Sequence, residues 1–107
     1  MFTRVVEFTS KQGKAKEVAN AINERVMPIL HAQPGFLDAI VLTSATEPDR
    51  LLGLSFWNSA DDADRYLREA YPEVIEILRS VLEIPPKVRT FNVEIFTTHK
   101  IGAGKAA

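Results

Sequence analysis

The chain has 107 residues, 46% of them hydrophobic and 25% charged, the makeup of one globular domain. It contains no cysteine, which excludes disulfide frameworks, thiolate nucleophiles, zinc knuckles and iron–sulfur clusters. Thirteen basic residues stand against fourteen acidic ones, and no segment carries the basic excess that a nucleic-acid backbone demands.

Residues 2–9 (FTRVVEFT) are β-branched and aromatic and read as a first strand. After Ser10 and the KQGK turn, Ala15, Val18, Ala19, Ile22, Val26, Ile29 and Leu30 form one apolar stripe at helical period. Pro28 falls inside that stripe and predicts a kink or restart near Arg25 to Met27. Pro34-Gly35 ends the helix, and Phe36 to Thr43 (FLDAIVLT) reads as a second strand. Ser44 to Arg50 is a turn, and Leu51 to Trp57 (LLGLSFW) is a third strand.

Ser59, followed three residues later by Asp62, marks a helix start, with Asp61, Asp62 and Asp64 near the positive end of the dipole. A stripe of Ala63, Tyr66, Leu67 and Ala70 continues beyond Pro72 as Val74, Ile77, Leu78 and Val81, with Pro72 suited to the first turn of a restarted helix. Pro85-Pro86 stops it, and Val88 to Thr98 (VRTFNVEIFTT) predicts a fourth strand. Residues 1–99 are thus one domain, and residues 100–107 (KIGAGKAA) are a small, polar tail expected to fray.

The order strand, helix, strand, strand, helix, strand, with each helix interrupted by proline, is two split βαβ units. It predicts an α+β, ferredoxin-like βαββαβ fold: a four-stranded antiparallel sheet with two helices on one face. The other face would then be expected to alternate polar. The strands do not permit this. Phe2, Val6 and Phe8 share one side of the first strand, with Val5 on the other. Phe36, Ile40 and Leu42 oppose Leu37, Ala39 and Val41 in the second, and Leu51 and Trp57 oppose Leu52, Leu54 and Phe56 in the third. A sheet apolar on both faces needs a second cover, so a homodimer packed sheet to sheet is expected, each buried large side chain contributing about 1.5–3 kcal/mol.

Familiar catalytic signatures are missing. No GxGxxG follows a strand. GAGK at 102–105 resembles a phosphate loop, but His99 occupies the place of its first glycine. His31 and His99 are the only histidines, with no metal-ligand spacing around them, so no metal is expected; the Asp61–Asp62–Asp64 cluster reads as a solvated helix start. No leader-like segment opens the sequence, and its apolar runs reach only about ten residues against the roughly 20 of a membrane span, so a cytoplasmic location without membrane contact is expected.

QPGF at 33–36, the strand ending Trp57-Asn58-Ser59, the acidic helix start at Asp61-Asp62 and the double proline before the last strand together resemble the antibiotic biosynthesis monooxygenase-like domain, over roughly residues 2–98. That family belongs to the dimeric α/β-barrel superfamily. The resemblance implies a homodimer with a pocket between sheet and helices in each subunit. It also implies a cofactor-independent monooxygenase, in which an aromatic or quinol-like substrate is itself the electron donor and no cofactor is required. Its alternative is a non-catalytic dimeric module of the same fold that binds a small molecule or assembles.

The family's functional residues carry over in part. Its tryptophan is present as Trp57. In the anthrone-type oxygenases an asparagine and a tyrosine flank that tryptophan, and Gly53 and Ala63 stand in their places here. The haem-degrading branch uses an asparagine, a tryptophan and an axial histidine, for which this chain has Val6, Tyr66 and Glu76, so haem turnover is disfavoured. The candidate catalytic residues are His31, as a base at the pocket mouth or else a helix C-terminal cap, and Tyr66, as a phenol donor or else a packing residue. The candidate substrate-binding residues are Trp57, Asn58 and Tyr71. Trp57 either stacks on an aromatic ligand or is a core or dimer-interface aromatic. Gly53, mid-strand, either enlarges a cavity or marks a bulge.

Overall fold

The computed structural model describes residues 1–99; the expected frayed tail and its GAGK run lie outside the described residues. The strands are β1 (Phe2–Thr9), β2 (Phe36–Thr43), β3 (Arg50–Trp57) and β4 (Lys87–Asn92). The helices are α1 (Ala15–Ala21), α2 (Met27–His31), α3 (Ala60–Glu69) and α4 (Tyr71–Leu78). The sheet order is β2-β3-β1-β4, antiparallel throughout, the ferredoxin-like topology that the element order predicts.

Both helical segments are broken where proline requires it. Between α1 and α2 the chain makes a π-helical turn, Ile22–Val26, and Pro28 occupies the first turn of α2, where its missing N–H leaves no bond unmade. The wider turn also aligns the buried face. Val18, Ile22, Val26 and Leu30 recur every four residues and would drift around a regular helix of 3.6 residues per turn, yet all four are buried. Pro72 likewise sits in the first turn of α4, after α3 ends at Glu69 with Ala70 as its C-cap. Leu67, counted in the apolar stripe, is exposed.

The core lies between the helices and one face of the sheet, where Val6 and Phe8 of β1 and Leu51 and Trp57 of β3 meet Val18, Ile22, Val74 and Leu78. Register fixes this face: Phe2 pairs with Trp57, Arg4 with Ser55, Val6 with Gly53 and Phe8 with Leu51. In β2 a bulge falls between Phe36 and Asp38. It breaks the simple alternation, so Ala39 and Val41 join Phe36 on the helix side, opposite Ser55 and Gly53, while Ile40 and Leu42 face away.

The last strand is shorter than the predicted Val88–Thr98. Asn92 pairs with Phe2, the first residue of β1, and one further bond, from the Val93 N–H to the Met1 carbonyl at 2.9 Å, closes the ladder. The following residues cross the outer face instead: Phe96 packs edge-on against Phe56 (5.3 Å between centroids), and His99 Nε2 lies 3.2 Å from Asp38 Oδ2. No helix among the described residues is long and apolar enough to cross a membrane.

Candidate functional site

A cavity open to solvent lies between the helices and the inner face of the sheet, with a volume of about 50 Å³ available to the centre of a water molecule. Small residues on the strands make the room, Ala39 on β2 and Gly53 on β3. No register irregularity falls at Gly53, and a Cβ there would stand 3.0 Å from the Phe8 ring, so this glycine accommodates Phe8 at the cavity floor. Ile22, Val26, Leu30, Val74 and Leu78 supply an apolar wall from the helices.

One corner is polar. Arg4 of β1 and Ser55 of β3 are register partners on the helix side, and Tyr66 of α3 and Tyr71 of α4 close over them. The Arg4 guanidinium carbon lies 5.1 Å from the centre of the Tyr66 ring and 4.4 Å from that of Tyr71, within cation–π range. Burial raises the Tyr66 hydroxyl pKa to about 12, with the Arg4 charge pulling the other way. The Tyr71 hydroxyl is raised for the same reason, again opposed by Arg4. Both phenols are protonated at neutral pH, shifted or not.

Behind this corner runs a chain of aromatic contacts. Tyr66 stacks on Trp57 at 5.0 Å with an interplanar angle of 28°, Phe36 meets Trp57 edge-on at 5.5 Å, and His31 meets Phe36 edge-on at 5.3 Å. Trp57 is fully buried, and its Nε1–H donates to Ser55 Oγ at 2.9 Å. It therefore backs Tyr66 and fixes Ser55, while the cavity lining passes over it. His31 is exposed at the end of α2 and Asn58 is exposed at the turn after β3; neither lines the cavity. Of the five candidate site residues, Tyr66 and Tyr71 are the two brought to the cavity.

The turn motifs have a structural explanation. Gly35 adopts φ +80°, and a Cβ there would collide with the Asp62 side chain. Its carbonyl accepts from the Asn58 N–H at 2.9 Å. Ser59 caps α3 by accepting from the Asp62 N–H at 3.2 Å, and its hydroxyl donates to Asp62 Oδ2 at 3.0 Å. Arg65 pairs with Asp62 at 3.3 Å. The PGF turn is thus seated directly on the cap that follows Trp57, which holds Phe36 and Trp57 together. Among the described residues no three His, Asp or Glu side chains are placed to hold a metal.

Arg4 and Ser55 were not among the residues singled out from the sequence. The signal was nonetheless there: Phe2, Val6 and Phe8 define the inner face of β1, and position 4 has the same parity.

A ferredoxin-like domain whose sheet and helices enclose an apolar cavity with one polar corner is the class of protein that these features define. The family model for antibiotic biosynthesis monooxygenase matches residues 1–79, and the chain belongs to that family. Among solved structures it is similar to SnoaB, a cofactor-independent oxygenase from Streptomyces nogalater (19% identity, 92% of this chain and 97% of that one, TM-score 0.75). It is also similar to the monooxygenase ActVA-Orf6 of Streptomyces coelicolor, solved with Nanaomycin D (22%, 84% and 84%, TM-score 0.70). A conserved protein from Methanosarcina mazei shares the fold as well (22%, 85% and 91%, TM-score 0.69). A comparison with curated proteins gives no match.

Proposed function

We propose that the cavity binds a flat, largely apolar aromatic or quinol-like molecule and that the protein oxidises it with dioxygen, without a cofactor. The observation that carries this reading is the cavity itself, an apolar slot ending in the donors of Tyr66, Tyr71 and Arg4. Family membership supports the reaction class. In such a reaction the substrate supplies all four electrons: a ring CH₂ becomes a carbonyl, one oxygen atom enters that carbonyl and the other leaves as water. The protein's part is to exclude bulk water, hold the ring and donate hydrogen bonds to its oxygen while charge develops there. In this reading Tyr66 makes that donation, which its position in the cavity lining and the Trp57 ring stacked on it support.

A second reading is a binding module that performs no chemistry. It is favoured by the cavity lining, which among the described residues contains no carboxylate and no histidine to act as base. In the first reading the substrate ionises unaided or delivers its proton to solvent.

Oxygen uptake with purified protein across a panel of anthrones and hydroquinones separates the two, with protein-free autoxidation as background and no metal, flavin or haem added. Uptake above background that is abolished by Ala39→Phe, which fills the cavity, supports the oxygenase. Uptake equal to background across the panel, with the same compounds bound by calorimetry, leaves the binding module.

A further inference from the structure

Arg4 presents a chemical imbalance. The residue is 3% exposed, its Nη2 has no hydrogen-bond partner, and none of the ion pairs among the described residues includes it. A guanidinium cannot shed its charge by losing a proton at any ordinary pH. A buried cation with no counterion is costly to maintain, and removing the charge at such a site is often neutral or stabilising. The two faces of π-density from Tyr66 and Tyr71 offset part of that cost. They do not replace a carboxylate, because both hydroxyls stay protonated. Nothing about the fold requires a charge there either: the strand neighbours on the same face are Phe2, Val6 and Phe8.

We propose that Arg4 is the counterion for the bound ligand, which is therefore an aromatic anion carrying a carboxylate or phenolate oxygen at one end of an apolar ring system. Arg4 sets the ligand's charge and its orientation: rings against the helix wall, acidic oxygen at the guanidinium beside Ser55 and the tyrosine hydroxyls. This rests on the cavity being the ligand site, and it is independent of whether the bound molecule is oxidised.

The test uses 2-naphthoate and its neutral isostere 2-naphthamide, titrated into the full chain by calorimetry. The only tryptophan, Trp57, stacked on Tyr66, supplies a fluorescence readout at the site. A charge-assisted bond in a buried site predicts that naphthoate binds about tenfold or more tightly than naphthamide. In Arg4→Met the preference disappears while naphthamide affinity is retained, and thermal stability is unchanged or raised. Arg4→Lys, which keeps the charge but loses the planar fork, retains part of the preference. Equal affinity for the two probes in the unsubstituted protein overturns the inference, as a guanidinium served by water alone would give that result. A naphthoate preference that survives Arg4→Met overturns it too. A phenolate arm, 2-naphthol titrated on either side of its own ionisation, tells whether the acidic oxygen accepted is a carboxylate only. Failure of all these compounds to bind overturns the pocket reading along with this one, whereas binding without charge discrimination overturns this one alone.

Discussion

In the folded chain burial lifts the Tyr66 hydroxyl pKa from 10.0 to about 12 against the pull of Arg4. In the unfolded chain the same group titrates near its ordinary value. Below pH 10 both states hold the proton and the site contributes no pH dependence. Between about pH 10 and 12 the unfolded state releases it first, so stability falls as pH rises, by about 2–3 kcal/mol across the full window. Tyr71 shifts in the same direction and adds to the slope. Urea denaturation from pH 8 to 11 is therefore expected to show a decline in midpoint that Tyr66→Phe makes shallower. An unchanged slope in that variant would show that the hydroxyl is hydrated in the folded state, and the donor role assigned to it in the cavity would lose its basis.

Among the elements, the coupling of the PGF turn to the start of α3 is the contact on which the aromatic chain depends. An alanine at position 35 would have to hold φ +80°, and its Cβ would stand 2.6 Å from the Asp62 Cβ and closer still to the carboxylate. Asp62 would have to move, weakening its bonds to Ser59 and Arg65. Gly13 is the natural control, since it has φ +74° with nothing within 4 Å of the place where a methyl group would stand. Gly13→Ala is expected to cost about 1 kcal/mol from backbone conformation alone. Gly35→Ala is expected to cost about 2–3 kcal/mol, the excess being the collision and the damaged cap. Equal losses in denaturant titrations would mean that the turn is not seated on α3.

The same elements show what a sequence can and cannot convey. Proline positions and apolar spacing located the helix breaks at Pro28 and Pro72, because proline's missing N–H is a purely local constraint. The bulge at Leu37 was not legible, because it answers to the pairing with β3 rather than to residue preference. Nor was the early end of β4, where Asn92 pairs with Phe2, the first residue of β1. At the site, Tyr66 could be placed by helical period, as one of the apolar stripe, while Tyr71 lies outside that stripe. The burial of Trp57 behind Tyr66 depends on the packing of three elements and has no one-dimensional signature. Arg4 shows a different loss: its parity is that of Phe2, Val6 and Phe8, which face the core, while its residue type argues for solvent.

For the whole molecule, assembly turns on the outer face of the sheet. Phe96 covers Phe56 at one end, but Ile40, Leu42 and Phe91 remain 44%, 47% and 50% exposed, with Leu52 and Leu54 between them only partly buried. Ile40, Leu42, Leu52, Leu54 and Val5 lie side by side on β2, β3 and β1, edged by Glu7 of β1 and by Lys87 and Arg89 of β4. A contiguous patch of this kind on a single chain marks an interaction surface. A second copy of the same sheet is its proposed partner, since a two-fold axis would bring each apolar strand face against an equivalent one. Burying the exposed half of Ile40 and of Leu42 would contribute about 1 kcal/mol each per subunit. Sedimentation equilibrium is expected to give twice the chain mass. Leu42→Lys, which places a charge in that face without touching the cavity lining, is expected to weaken association by about a hundredfold or more. Because the cavity lies on the opposite side of the sheet, ligand affinity per chain should survive the dissociation. A monomeric mass for the unsubstituted protein at micromolar concentration would leave the apolar face to another partner. Loss of ligand binding in a monomeric, folded Leu42→Lys chain would mean that the second subunit helps to close the pocket, which would tie assembly to function.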